Sequence, residues 1–136
     1  MGSRREAREI ALQTLYLADT CGMPVEDALK STLAQAESSS IRTFASHLAN
    51  GVEENKSRID AILTKYAQNW DIKRMAIVDR NILRASTFEI LFDVETPLNV
   101  IIDEAIEVAK TYSTEDSGKF VNGILDKVKA ERKPAS

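Results

Sequence analysis

Residues Lys73–Phe92, "KRMAIVDRNILRASTFEILF", decide the fold. Wound as a helix at about 100° per residue, the stretch places apolar residues on nearly every side. A helix apolar all round is covered by its neighbours. The stretch therefore predicts a central helix at about 72–92 with other helices packed around it. It also carries Arg80 and Arg84 one turn apart. A charge on a covered helix must be paired or open onto a cleft. Asp79, Glu89 and Asp116 are carboxylates that could serve as partners.

Helical spacing dominates outward in both directions, and no strand-like alternation stands out. Residues 4–19 form a first helix. Pro24 starts a second, to about Glu37, and "ESSS" at 37–40 breaks it with capping residues. Ile41, Phe44, Ala45, Leu48, Val52, Ile59, Leu63 and Tyr66 predict one long helix over about 41–66, with Gly51 as a tolerated weak point. "QNWDIK" links it to the central helix. Thr96-Pro97 reads as an N-cap and first helical residue, opening a helix to about Tyr112. Ser113 or Thr114 caps the last helix, which runs to about Lys129. Glu115 and Asp116 complement its N-terminal dipole. The end, "AERKPAS", is expected to fray. Six helices with short connections make an all-α bundle.

At 136 residues, 43% of them hydrophobic, the chain suits one domain with an ample core. The net charge of −3 means that any nucleic-acid site is a local basic patch. One cysteine, Cys21, leaves no internal disulfide and fits a reducing cytosol. No apolar run reaches membrane-spanning length, and "MGSRREAREI" lacks the apolar core of a secretory signal. The expectation is a soluble cytoplasmic protein without membrane contact.

Catalytic chemistry finds little footing. The single His47 and single Cys21 exclude zinc sites and paired Glu-x-x-His di-iron sites. "SGKF" lacks the Gly-x-x-x-x-Gly-Lys spacing of a phosphate loop, and no nucleophile elbow is present. Asp103, Glu104 and Glu107 share one polar arc and read as a solvated face. No catalytic residue, metal site or cofactor is expected, and the chain is not read as an enzyme.

Binding signals are present. With Phe120 taken as zero, Ile124, Val128, Val121 and Leu125 fall at about 40°, 80°, 100° and 140°, so Phe120 borders the apolar stripe. On its other side lie Lys127, Asp116, Gly123 and Lys119. Phe120 is therefore either a border core residue or a half-buried ring that can stack on a base. Arg4, Arg5 and Arg8 lie together on the first helix, off the stripe formed by Ala7, Ile10, Ala11, Thr14 and Ala18. Leu12 and Tyr16 fall on the arginine side. This cluster suits either a phosphate backbone or a solvated helix end.

The stretches "RREAREIALQTLY", "VDRNILRASTFEILF" and "VIIDEAIEVAKTYSTEDSGKFVNGILDKV" resemble the NusB family of bacterial transcription antitermination factors. The likeness runs from Arg4 to Val128, is most specific over 97–128 and is generic over 21–50. It implies one RNA-binding domain of two packed helical sub-bundles, about six to seven helices in all. The N-terminal helices would span about 4–66 and the C-terminal ones about 72–129. It further implies binding of boxA RNA together with NusE, a small-subunit ribosomal protein, within an antitermination complex on RNA polymerase, notably in ribosomal RNA synthesis. Carried over residue by residue, the RNA-contacting set is Arg4, Arg5, Arg8, Asp79, Arg84, Asp116, Lys119 and Phe120. Tyr16 matches a family tyrosine of the NusE or RNA face and is assigned to the partner. Glu6 interrupts the arginine run of other members. Two alternatives stand beside this. One is the NusB-like domain of a ribosomal RNA methyltransferase, for which these residues hold no Gly-rich nucleotide-binding segment. The other is a homodimer that buries the arginine face.

Overall fold

The computed structural model describes residues 2–68 and 70–133. Seven α-helices follow one another among them: α1 (Gly2–Cys21), α2 (Val25–Thr32), α3 (Ser39–Glu54), α4 (Lys56–Tyr66), α5 (Ile77–Phe92), α6 (Leu98–Tyr112) and α7 (Glu115–Val128). Single 3-10 turns occur at Leu33–Gln35, Ile72–Arg74 and Lys129–Glu131. No strand is present among the described residues. Asn69, within the link before α5, and Pro134–Ser136, at the expected frayed end, lie outside them.

The all-round apolar helix is indeed the centre. α5 packs against α1, α3, α4, α6 and α7. Its Leu83 and Ile90 are fully buried in a core shared with Leu48, Ile59, Leu63, Ile101 and Leu125. Each such side chain contributes about 1.5–3 kcal/mol through burial. A smaller cluster of Ala7, Ile10, Ala36, Ile41 and Ala45 closes the other flank of α1. No helix among the described residues is long and apolar enough to cross a membrane.

Six local expectations need correction. The stripe from Ile41 to Tyr66 is two helices, broken at Asn55. Asn55 leaves helical geometry at φ −115°, ψ 17°, and its Nδ2 donates to the Gly51 carbonyl at 2.9 Å. A side chain that bonds its own backbone competes with the helix ladder. The seven-residue step from Val52 to Ile59 carried the apolar pattern across the break and hid it. Gly51 is also no weak point, since a Cβ there would overlap the Phe88 ring of α5. The missing side chain lets α3 approach the central helix.

Thr96 is not the N-cap of α6. That position falls to Pro97, with extended ψ of 142°, and the helix starts at Leu98. The Thr96 carbonyl is instead bonded by the Arg132 side chain at 2.8 Å. Arg132 also donates to the carbonyls of Glu89, Ile90 and Asp93, so the chain after α7 is tied to the end of α5 through residue 132 rather than frayed. The second helix stops at Thr32 and the central helix starts at Ile77, each shortened by an adjoining 3-10 turn.

The start of α7 falls where it was read, and α1 runs past residue 19 to Cys21. Thr114 caps α7 by accepting from the Ser117 N–H at 3.1 Å. α1 ends in a Schellman arrangement: Gly22 takes φ +65°, and the Met23 N–H reaches back to the Ala18 carbonyl.

Candidate nucleic-acid interface

α1 runs antiparallel to α5, and ion pairs along their seam set the register. Near the start of α1, Arg8 forms a two-pronged pair with Glu89, at 3.0 and 2.8 Å. Glu89 is only 2% exposed, so it needs this cation. Arg5 forms a similar fork with Glu104 of α6, at 3.0 and 2.7 Å. The Arg5 guanidinium holds the Glu104 carboxyl below the usual carboxylate range. The arginines therefore do not lie off the buried surface of α1. Their side of the helix faces α5 and α6, and Leu12 on that side is buried. Glu104 likewise leaves the solvated arc expected of it. Arg4 is the exception: it has no ion pair among the described residues, and its guanidinium carbon sits over Phe44, 3.7 Å from the ring centroid.

At the other end of the seam, Asp19 of α1 accepts from Arg80 at 2.8 and 2.9 Å, from Asn81 at 2.9 Å and from Arg84 at 3.1 Å. Arg84 also forks onto Asp60 of α4 at 2.9 and 3.0 Å. The hydrogen bonds from Arg80, helped by Asn81 and by both arginine charges, pull the Asp19 carboxyl down to about 2. None of Asp79, Glu89 or Asp116 partners Arg80 or Arg84; carboxylates on α1 and α4 do. Arg84 is buried and staples three helices.

Beside this network lies a more open surface. Asp79, in the first turn of α5, faces the start of α7. Its Oδ2 accepts from the Ser117 hydroxyl at 3.4 Å, while its Oδ1 is buried without a partner. Burial pushes its carboxyl above the usual range. Thr87 Oγ1 and Asp93 Oδ2 are likewise buried without a partner among the described residues. Asp116 and Lys119 are exposed on α7, and Phe120 is half-buried. The Phe120 ring meets Trp70 edge to face, with centroids 5.3 Å apart and planes at 74°. The sequence reading left Trp70 in a link; its only signal was a large aromatic in an otherwise polar stretch.

Tyr16 is exposed at this same end of α1. It lines an apolar groove of about 360 Å³ with Leu12, Leu17, Val78 and Tyr112. Toward the opposite end, a groove of about 730 Å³ runs between α3 and the end of α5, lined by Arg4, Phe44, His47 and Phe92. The lone histidine is accounted for there: His47 Nε2 lies 2.8 Å from Asp93 Oδ1, and its ring stands edge-on to Phe88.

The sequence-derived site residues thus divide into two groups. Asp79, Asp116, Lys119, Phe120 and Tyr16 gather at the start of α5. Arg4, Arg5 and Arg8 lie toward its end, since Asp79 and Glu89 are ten residues and about 15 Å apart along the helix. Arg84 sits between them, inside.

Residues 5–130 match the NusB family. The chain is 46% identical over 136 residues to the transcription antitermination protein NusB of Elusimicrobium minutum, covering 98% of this chain and 97% of that one. It is 46% identical over 130 residues to the NusB of Geobacter sulfurreducens, covering 94% of each. Among solved structures, T. maritima NusB superposes with a TM-score of 0.89 at 39% identity, covering 96% of this chain and 93% of that one. A structure of antitermination factors NusB and NusE in complex with dsRNA superposes with a TM-score of 0.88 at 26% identity, covering 96% and 98%. With the central α5, the α7 segment and the full-length match in agreement, the chain belongs to the NusB family.

Proposed function

We propose that this protein is an RNA-binding transcription antitermination factor of the cytoplasm that acts as a single domain and without catalysis. It holds boxA-type single-stranded RNA together with a NusE-type ribosomal protein and so supports antitermination by RNA polymerase, notably in ribosomal RNA synthesis. The observation that carries this reading is the gathering of Asp79, Asp116, Lys119 and Phe120 from two helices onto one surface. Phe120 offers a ring for a base. Lys119 neutralises a phosphate. Asp116 accepts from amino groups on base edges, and the buried Asp79 positions the start of α7 through Ser117. Tyr16 and its groove take the protein partner.

The arginines divide by their surroundings. Arg4, free of carboxylates, meets the RNA backbone. Arg5 does so by exchanging Glu104 for a phosphate. Arg8 and Arg84 serve indirectly, by holding α1 and α4 against α5. The relatives matched across nearly their whole length carry the antitermination name, which favours this reading over the methyltransferase alternative.

The test is a titration with boxA RNA against a scrambled sequence, with and without NusE, at two salt concentrations. A double-stranded RNA arm is included because the related complex holds dsRNA. Preference for single-stranded boxA is expected, strengthened by NusE. The salt slope should be near −2.1 for the three phosphate contacts of Lys119, Arg4 and Arg5 on a single strand, at about −0.7 each. Equal binding of boxA and scrambled RNA under all conditions would overturn the reading.

A further inference from the structure

We propose that Trp70 is a second stacking residue of the RNA surface, forming with Phe120 a two-ring platform for a nucleobase. The inference rests on the RNA-binding reading above and extends it to a residue outside the set drawn from the family likeness.

Trp70 is the single tryptophan of the chain. It sits between α4 and the 3-10 turn at Ile72–Arg74 and is 55% exposed. A structural tryptophan buries its indole and finds a partner for its N–H. Trp70 does neither among the described residues. Its backbone N–H is bonded to the Ala67 carbonyl at 2.7 Å, and its ring meets Phe120 edge to face at 5.3 Å. Near-perpendicular rings meet by one edge and one face, so a broad aromatic face stays open to stack on a base.

The surroundings select the ligand. Gly123, one turn beyond Phe120 on α7, would have nothing within 4 Å of an added Cβ. The helix surface beside the aromatic pair is therefore open. Lys119 precedes Phe120, and Lys73 and Arg74 follow Trp70. All three are exposed, and none is in an ion pair among the described residues. An exposed ring against a half-buried one, with unpaired cations close by in sequence, matches a single-stranded nucleic acid, whose bases stack while its phosphates take the charges. An apolar peptide would find better cover in the Tyr16 groove, which has concave apolar walls.

Because there is one tryptophan, its emission reports on this position alone. The experiment titrates the full chain with single-stranded boxA-type RNA while recording Trp70 fluorescence, acrylamide quenching and, in parallel, the anisotropy of end-labelled RNA. Expected results are quenched emission, protection from acrylamide, about tenfold weaker binding for Trp70→Ala, and affinity mostly retained in Trp70→Phe. A shift of emission on RNA binding in the folded wild type supports stacking even if Trp70→Ala folds poorly. RNA bound by anisotropy with unchanged emission and quenching, or Trp70→Ala binding as wild type, would overturn the inference and leave the function intact. No anisotropy change at all, with or without NusE, would overturn the RNA reading and this inference with it.

Discussion

Both ends of α5 are tied to α1 by ion pairs, but they differ in what they leave uncommitted. Toward its end, Arg8 and Arg5 are each forked onto a carboxylate of the same chain, and Glu89 is fully enclosed. At its start, Arg80 and Arg84 are held by Asp19, but Lys119 stays unpaired on the helix that carries the half-buried Phe120, which meets the exposed Trp70. At the first end every arginine but Arg4 is spent on folding, whereas the second end, beside its own Asp19 network, keeps Lys119 and two aromatic rings available for something outside the molecule. Residue type alone does not distinguish them. Three arginines in eight residues looked like the stronger nucleic-acid signal, yet two of them are satisfied internally.

The largest effect that tests this contrast belongs to the closed end. Arg8→Ala leaves Glu89 charged and buried without a partner and should cost about 3–5 kcal/mol of stability. Urea unfolding measures it; a loss below about 1 kcal/mol would mean that the closed end is not closed. Next comes Phe120→Ala at the open end, expected to weaken boxA RNA binding by about 1–3 kcal/mol. Because the ring also packs on the core, about 1–2 kcal/mol of stability should go with it. Lost stability with unchanged affinity would return Phe120 to the core.

The pH dependence of stability separates the two carboxylates near the start of α5. Asp19 is depressed to about 2 in the folded state, against an ordinary value of 3.8. Its stabilisation is therefore present above about pH 4 and lost as pH falls toward 2. Asp79 is raised, so its ionised form burdens the folded state at neutral pH, and protonation relieves that burden as pH falls. Asp79→Asn should thus leave stability at neutral pH equal to or above wild type, while Asp19→Asn lowers it. Unfolding midpoints across pH 2–7 check both signs, and an Asp79→Asn protein less stable at neutral pH would show that the carboxylate is needed for folding. The smallest effect is Arg5→Ala. Its pair with Glu104 is partly exposed, so about 0–1 kcal/mol is expected, with Tm nearly unchanged.

Much of this architecture was readable before folding. The apolar windings of 73–92 announced a covered helix, and Thr114 announced the start of α7. The rotational position of Phe120 put it at the border of the core, where its ring is half-buried. The break at Asn55 was not readable, because Val52 and Ile59 kept the apolar rhythm across it. Nor were Asp19 and Asp60 as partners of Arg84, or Trp70 as the neighbour of Phe120, since each lies 24 or more residues away along the chain.

Periodicity, caps and turn residues act over three to seven positions. They are local, and by itself the sequence settled helix identity, approximate boundaries and which helix is central. Whether a charge or ring is available to a ligand depends on what lies across from it, at a distance set by helix packing. Only the tertiary structure decided that Arg8 and Arg84 are enclosed, that Arg4 is left with an aromatic ring rather than a carboxylate, and that the buried oxygen of Asp79 has no donor.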